Sequence, residues 1–246
     1  MDRATQRALA AHNRSFYRAH AGAFSATRDH PWPGWERVAR ALPATGPLRA
    51  LDAGCGNGRL GAVLRDSLAP RPFVYPGIDA CEALLQVARE RCPGATLMQS
   101  DLVEQPLDRA LPPGPFDLVC AFGLLHHIPG FTRRRALIEA LAERVAPGGL
   151  LALAFWRFGD HPRFDRRRQD WRQLTDVDPG ELEPGDHLMA WGSEGAGRYC
   201  HASDSREIAA LVARLPLEAC DEFKADGREG DLNRYLVFAN RERLND

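Results

Sequence analysis

Lysine is almost missing from this chain: Lys224 is the only one, and the other basic residues are arginine. Excess charge of one sign is missing too. The formal net charge is −1, so no global field marks the protein for nucleic acid, and any basic binding face must be local. Six cysteines (Cys55, Cys81, Cys92, Cys120, Cys200 and Cys220) include no Cys-x-x-Cys pair and no zinc spacing. That argues against a zinc module and reads as reduced thiols, several of them buried. No apolar run is long enough to cross a membrane, and the N-terminus lacks the apolar centre of a secretory signal. There is no internal repeat and no low-complexity tract. These absences predict a cytoplasmic protein without a membrane partner. Its 246 residues suffice for one large domain, or one domain with an insertion.

What is present centres on Leu48-Arg49-Ala50-Leu51-Asp52-Ala53-Gly54-Cys55-Gly56-Asn57-Gly58. The apolar run predicts a short buried strand, and the glycines stop it. Leu60, Val63, Leu64 and Leu68 then recur at helical spacing. Glycine lets the backbone approach a ligand closely, and the helix behind the turn offers free N–H groups. Gly56-x-Gly58-x-x-Gly61 also fits a dinucleotide fingerprint, but its first glycine comes late and Asp52 stands where a pyrophosphate would approach. A carboxylate there suits a cationic ligand or one rich in hydroxyl and amine donors.

The pattern repeats. Phe73–Asp79 predicts a second strand ending in an acid, placed for two ribose hydroxyls, although Asp79 could instead cap the helix that follows. Ala95–Leu102 predicts a third strand that ends in Ser100-Asp101-Leu102, and Phe116–Phe122 a fourth. His126-His127 follows the fourth strand. Paired histidines suggest a metal, but no third ligand is evident nearby, so no metal is expected. A helix over about 132–144 leads through Pro147-Gly148-Gly149 into a fifth strand, Leu150–Phe155.

Residues 156–198 break the rhythm with an arginine-rich stretch (Arg157, Arg163, Arg166, Arg167, Arg168 and Arg172) and then an acidic one. Such an insertion is usually functional or disordered, and the arginines fit either a solvated face or an RNA contact. A last helix is expected over His201–Leu215, and a closing antiparallel pair over Leu217–Phe223 and Arg234–Ala239. The fold expected is α/β: a seven-stranded, doubly wound, Rossmann-like sheet with a C-terminal hairpin. Residues 1–44 are expected to form a helical segment, with Phe24–Trp35 either packed over the sheet edge or serving as a lid. Residues 45–246 form the main domain.

Asp-x-Gly-x-Gly-x-Gly, the acid-ended strands, Phe116-Asp117-Leu118-Val119 with Leu125-His126-His127-Ile128, and Pro147-Gly148-Gly149 together resemble the ordered motifs of class I S-adenosylmethionine (SAM) methyltransferases. The resemblance implies SAM as cofactor, S-adenosylhomocysteine (SAH) as product, and a site drawn from Asp52, Gly54, Cys55, Gly56, Gly58, Asp79, Ala80, Ser100, Asp101, Leu102, Ala121, Phe122 and Gly123. Two further segments, Phe-Ser-x-Thr-Arg-x-x-Pro-Trp-Pro beginning at Phe24 and Arg198-Tyr199-Cys200-His201, are similar to segments of the Trm-nine and AlkB-homologue-eight methyltransferases, which act on carboxymethyl-uridine at the tRNA wobble position. That likeness implies a tRNA substrate, a small activator protein as partner, and a cofactor lid in which Arg28 and Trp32 take part. For a hydroxyl or amine acceptor, His126 or His127 would be the base; a carboxylate acceptor requires none. A methyltransferase of small metabolites and a non-catalytic SAM-binding module remain the alternatives.

Overall fold

The computed structural model describes residues 1–241 apart from 29, 44 and 194. Asp2 starts the first helix by accepting a hydrogen bond from the Thr5 N–H at 2.8 Å, and α1 runs from Arg3 to Ala26. Helix α2 (Pro33–Arg40) begins on a proline, where the missing N–H costs nothing. Strand β1 (Leu48–Ala53) and α3 (Arg59–Leu68) fall where the apolar pattern predicts them. The second strand is interrupted at Tyr75 into β2 (Phe73–Val74) and β3 (Pro76–Asp79), both parallel to β1. Next come α4 (Glu82–Arg91), β4 (Thr96–Gln99), the single turn α5 (Leu107–Ala110) and β5 (Phe116–Phe122). Helix α6 (Phe131–Ala142) leads into β6, which is longer than expected at Val145–Trp156.

The main sheet runs β10-β11-β6-β5-β1-β3-β4, seven strands in the expected arrangement, with β2 beside the start of β1. Its closing pair, β10 (Glu218–Ala225) and β11 (Asn233–Ala239), is antiparallel, and β11 lies against β6. Central strands are apolar on both faces because helices cover both. Leu51, Val119 and Leu153 face Leu137, Leu141 and Leu211. Ala50, Leu118 and Ala152 face Trp35, Val38 and Leu64.

Between β6 and the hairpin the insertion folds into short 3-10 turns and a second antiparallel sheet, β7 (Arg168–Gln169), β8 (Asp186–Trp191) and β9 (Ala196–His201). His201 therefore ends a strand instead of opening the last helix. Its backbone pairs with Asp186, and its ring is held by Asp186 and Glu207. Helix α7 (Ser205–Val212) starts after Asp204, whose carboxylate accepts from the Glu207 N–H at 2.7 Å. The insertion docks on α1: Leu9 packs with Val177 and Tyr199, and Asn13 bonds the Tyr199 backbone through both its amide groups, at 2.8 and 3.1 Å. No helix among the described residues is long and apolar enough to cross a membrane.

Candidate active site

Strand order reverses at β1, with β3 on one side and β5 on the other, and a crevice at such a point is where open α/β sheets bind ligands. A cavity of about 730 Å³ opens there. Arg28, Trp32, Asp52, Gly54, Cys55, Gly56, Asp79, Ala80, Ser100, Asp101, Leu102, Phe122, Gly123, His126 and His127 all line it. Two expected residues do not. Gly58 begins α3 at φ +72°, and a side chain there would meet Ala88 of α4 at 2.9 Å, so its role is helix packing. Ala121 is fully buried on the opposite face of β5, because alternate strand residues point to opposite sides.

Beside the glycine turn, the Asp79 carboxylate accepts from the backbone N–H of Gly56 at 2.9 Å and of Cys81 at 2.8 Å. Gly56 takes φ +52°, and a side chain there would project into open space, leaving the turn bare toward the cavity. Burial raises the Asp79 carboxyl above the usual carboxylate range, against its backbone hydrogen bonds. Asp52 accepts from the Tyr75 hydroxyl at 2.5 Å, and burial pushes it up to about 6. Asp101 is more committed than its sequence position suggests. One oxygen accepts from the N–H groups of Val103 and Glu104, and the other pairs with Arg14 at 2.5 Å. The Phe24–Trp35 segment, whose position 29 lies outside the described residues, borders the same side. Ser25 accepts from the Asn57 amide in the glycine turn at 2.9 Å, and Trp32 packs 5.2 Å from Trp35. Arg59, which sequence reasoning missed, joins them by donating to the His30 carbonyl and lying over both tryptophan rings. These features fit SAM: a bare glycine turn, buried carboxylates with free lone pairs, and room for a nucleoside.

Since a cationic donor favours the ionised form of Asp52, SAM affinity should rise as pH climbs through about 6. About tenfold weaker binding is expected near pH 5 than near pH 7.5. Calorimetry at both values checks this, and Asp52→Asn should flatten the profile.

The other half of the cavity is aromatic. Phe24, Trp156, Phe164 and Trp191 line it together with Tyr17, His126, His127 and Arg198. His127 is fixed. Its Nδ1 donates to the Tyr199 carbonyl at 2.9 Å, and its Nε2 accepts from the Tyr17 hydroxyl at 2.7 Å, a tautomer assigned from the partners. Burial, aided by Arg198, pushes its pKa down to about 3. His126 is also held far below the usual imidazole range by burial, and its buried Nδ1 has no hydrogen-bond partner. The third soft ligand that the sequence did not reveal is present in space: Cys200 Sγ lies 3.9 Å from His127 Nδ1. A cation there would displace the Nδ1 bond of His127 to the Tyr199 carbonyl and meet the Arg198 guanidinium, which also interacts with Cys200.

The arginines of the insertion are mostly paired. Arg163 meets Glu229, Arg168 meets Asp165, Arg172 meets Asp170, and Arg157 meets Asp160 and Asp231. Tyr17, Asn13 and Arg198 carry the cavity wall but stood out little in the sequence. Only the Arg-Tyr-x-His segment pointed to Arg198.

Residues 51–151 match the family model described as a methyltransferase domain. A tRNA (carboxymethyluridine(34)-5-O)-methyltransferase of Arabidopsis thaliana is 32% identical over 141 residues, covering 57% of this chain and 31% of the relative. A trans-aconitate 2-methyltransferase of Acidovorax is 32% identical over 142 residues, covering 57% of this chain and 50% of the relative. The chain thus spans half or less of either protein. The solved magnesium protoporphyrin IX methyltransferase of Synechocystis PCC 6803, with bound SAM, superposes over 98% of both chains with a TM-score of 0.59 at 17% identity.

Proposed function

We propose that this chain, which belongs to the class I SAM-dependent methyltransferases, methylates a carboxylate on a planar acceptor, the carboxymethyl group of a tRNA wobble uridine being the leading candidate. The observation that carries this reading is the aromatic lining of Phe24, Trp156 and Trp191 beside the SAM half, which offers ring surface to a flat acceptor. The name of the Arabidopsis relative supplies the uridine. Bound SAM supplies a methyl already activated on sulfur. The chain's task is then to hold the acceptor in line with it in a fixed polar setting that favours charge neutralisation. A carboxylate is anionic near neutral pH and needs no base. This agrees with two buried histidines that are too weakly basic to keep a proton taken from a hydroxyl or amine. In this reading Phe24–Trp35 closes over the donor and Arg28 meets its methionine carboxylate.

A second reading has its own support. Ion pairing neutralises most of the insertion arginines, which weakens the electrostatic footprint that RNA requires. It favours a small polycarboxylate such as the acceptor named for the Acidovorax relative. Labelled methyl transfer from SAM to total tRNA lacking the wobble methyl ester, run beside trans-aconitate, separates the two. Base-labile label on tRNA is the expected result. Label on trans-aconitate alone selects the second reading, and label on neither overturns the function.

A further inference from the structure

We propose that Arg198 is the seat of the acceptor's carboxylate, with the open Nδ1 of His126 as its neighbour. The assignment rests on the methyltransferase reading above.

Arg198 is 6% exposed and lines the cavity. Its Nη1 donates to the Tyr17 hydroxyl at 2.9 Å, while its buried Nε has no hydrogen-bond partner. Three rings surround the guanidinium, with centroids 5.7, 5.9 and 5.6 Å away in Phe16, Phe24 and Trp156. Among the described residues no carboxylate pairs with it. Its polar neighbours Tyr17, His127 and Cys200 are all kept neutral by burial. A permanently charged group buried without a counter-ion is costly, and arginine cannot escape by losing its proton. A ligand anion would remove that cost. The position is also set before any ligand arrives: Asn13 clamps the backbone of Tyr199, and the Tyr17 hydroxyl bridges Arg198 to His127.

Two carboxylates must be placed, the donor's own and the acceptor's; Arg14, Arg28, Arg59, Arg167 and Arg198 all line the cavity, and Arg198 is the buried one among them. Arg28 and Arg198 share the Phe24 ring, at 4.7 and 5.9 Å from its centroid, but Arg28 stands three residues after Ser25, which is bonded to the glycine turn, and so lies nearer the donor. Arg198 sits on β9 against Trp156 and the histidine pair, on the acceptor side. During transfer a carboxylate oxygen forms the new O–C bond with its lone pair. The C–S bond breaks with its electrons going to sulfur, so sulfonium and carboxylate become thioether and ester and no proton moves. The new ester group is neutral and loses its hold on Arg198, so the seat should prefer that group as acid to the same group as ester.

The test uses the full chain saturated with SAH and measures binding of 5-carboxymethyluridine against its methyl ester, and of trans-aconitate against its monomethyl ester. In at least one pair the acid should bind tenfold or more better than the ester, about the worth of one charge-assisted hydrogen bond; that pair identifies the acceptor class. Arg198→Met should bring the ratio to about one with SAH affinity within about twofold of wild type. Arg198→Lys, which keeps the charge and protects against misfolding, should retain part of the preference. The assignment is overturned if no acid is preferred in wild type or if the preference survives in Arg198→Met. It is also overturned if SAH binding is lost in both variants, which would hand Arg198 to the donor. Acid preference without methyl transfer to either acceptor would leave the seat standing and remove the proposed function.

Discussion

Asp79→Ala is expected to weaken SAM binding by roughly a hundredfold. The Asp79 carboxylate already accepts from Gly56 and Cys81, yet two oxygens offer about four lone-pair sites. Two remain for the ribose hydroxyls. Each such bond to a charged group contributes about 1.5 kcal/mol at the low end, and together they make about two powers of ten in the dissociation constant. The substitution also frees the N–H of Gly56, so the turn itself loosens. Asp79→Asn should fall between, because its single amide oxygen can keep one of the two backbone bonds. Calorimetry with SAM, with circular dichroism to show that the fold persists, decides the matter; an unchanged dissociation constant would remove Asp79 from the site.

Arg134→Met should destabilise the protein by about 3–5 kcal/mol, the range seen when one partner of a buried ion pair is removed. Arg134 is fully buried and meets Glu183 and Glu207, each at 2.6 Å, and the Ile128 carbonyl. Glu207 in turn holds His201, which also bonds Asp186, and Asp186 accepts from the Tyr199 hydroxyl. Urea unfolding reads the loss directly, and adding Glu207→Gln to Arg134→Met should recover part of it. The same cluster should shape stability against pH. Burial alone would depress His201, but its bonds to Asp186 and Glu207 outweigh it and raise the folded pKa. That contribution is complete below the unfolded value near 6.5 and fades as pH rises through the folded one. Burial alone would raise Glu207, but His201 and Arg134 outweigh it and lower the folded pKa. That contribution is complete above about 4.5 and fades as pH falls. The network is therefore strongest between those values.

The donor half was legible because its signals are local. An apolar strand, an acid and a glycine turn occupy consecutive positions, and strand, turn and helix each follow from short-range sterics. Asp52, Asp79 and Phe122 accordingly reach the cavity as the pattern implies. Gly58 failed because spacing cannot tell a glycine that faces a ligand from one that faces Ala88. The acceptor half was illegible for the opposite reason. Cys200 becomes a neighbour of His127, and Tyr17 of Arg198, only through docking between distant segments. Nor does an arginine's spelling disclose that the carboxylates near it are already taken, as with Arg163, or missing, as with Arg198. The polar character of 156–198 suggested disorder or a binding loop, yet Phe158, Leu188 and Met189 give it buried positions of its own.

Asn13 and Tyr199 meet across 186 positions of chain. A ribosome would therefore deliver the two walls of the aromatic half of the cavity at very different times. The apolar stripe of α1, including Leu9, Phe16 and Ala21, emerges long before β9 and must wait for it to be synthesised. Through that interval the strands around the glycine turn can already condense, while the helix stays uncovered and exposed to chaperones or to other nascent chains. Assembly of the cavity is then a two-stage event: the strands around the glycine turn can condense early, and the aromatic half closes only after β9 has been made.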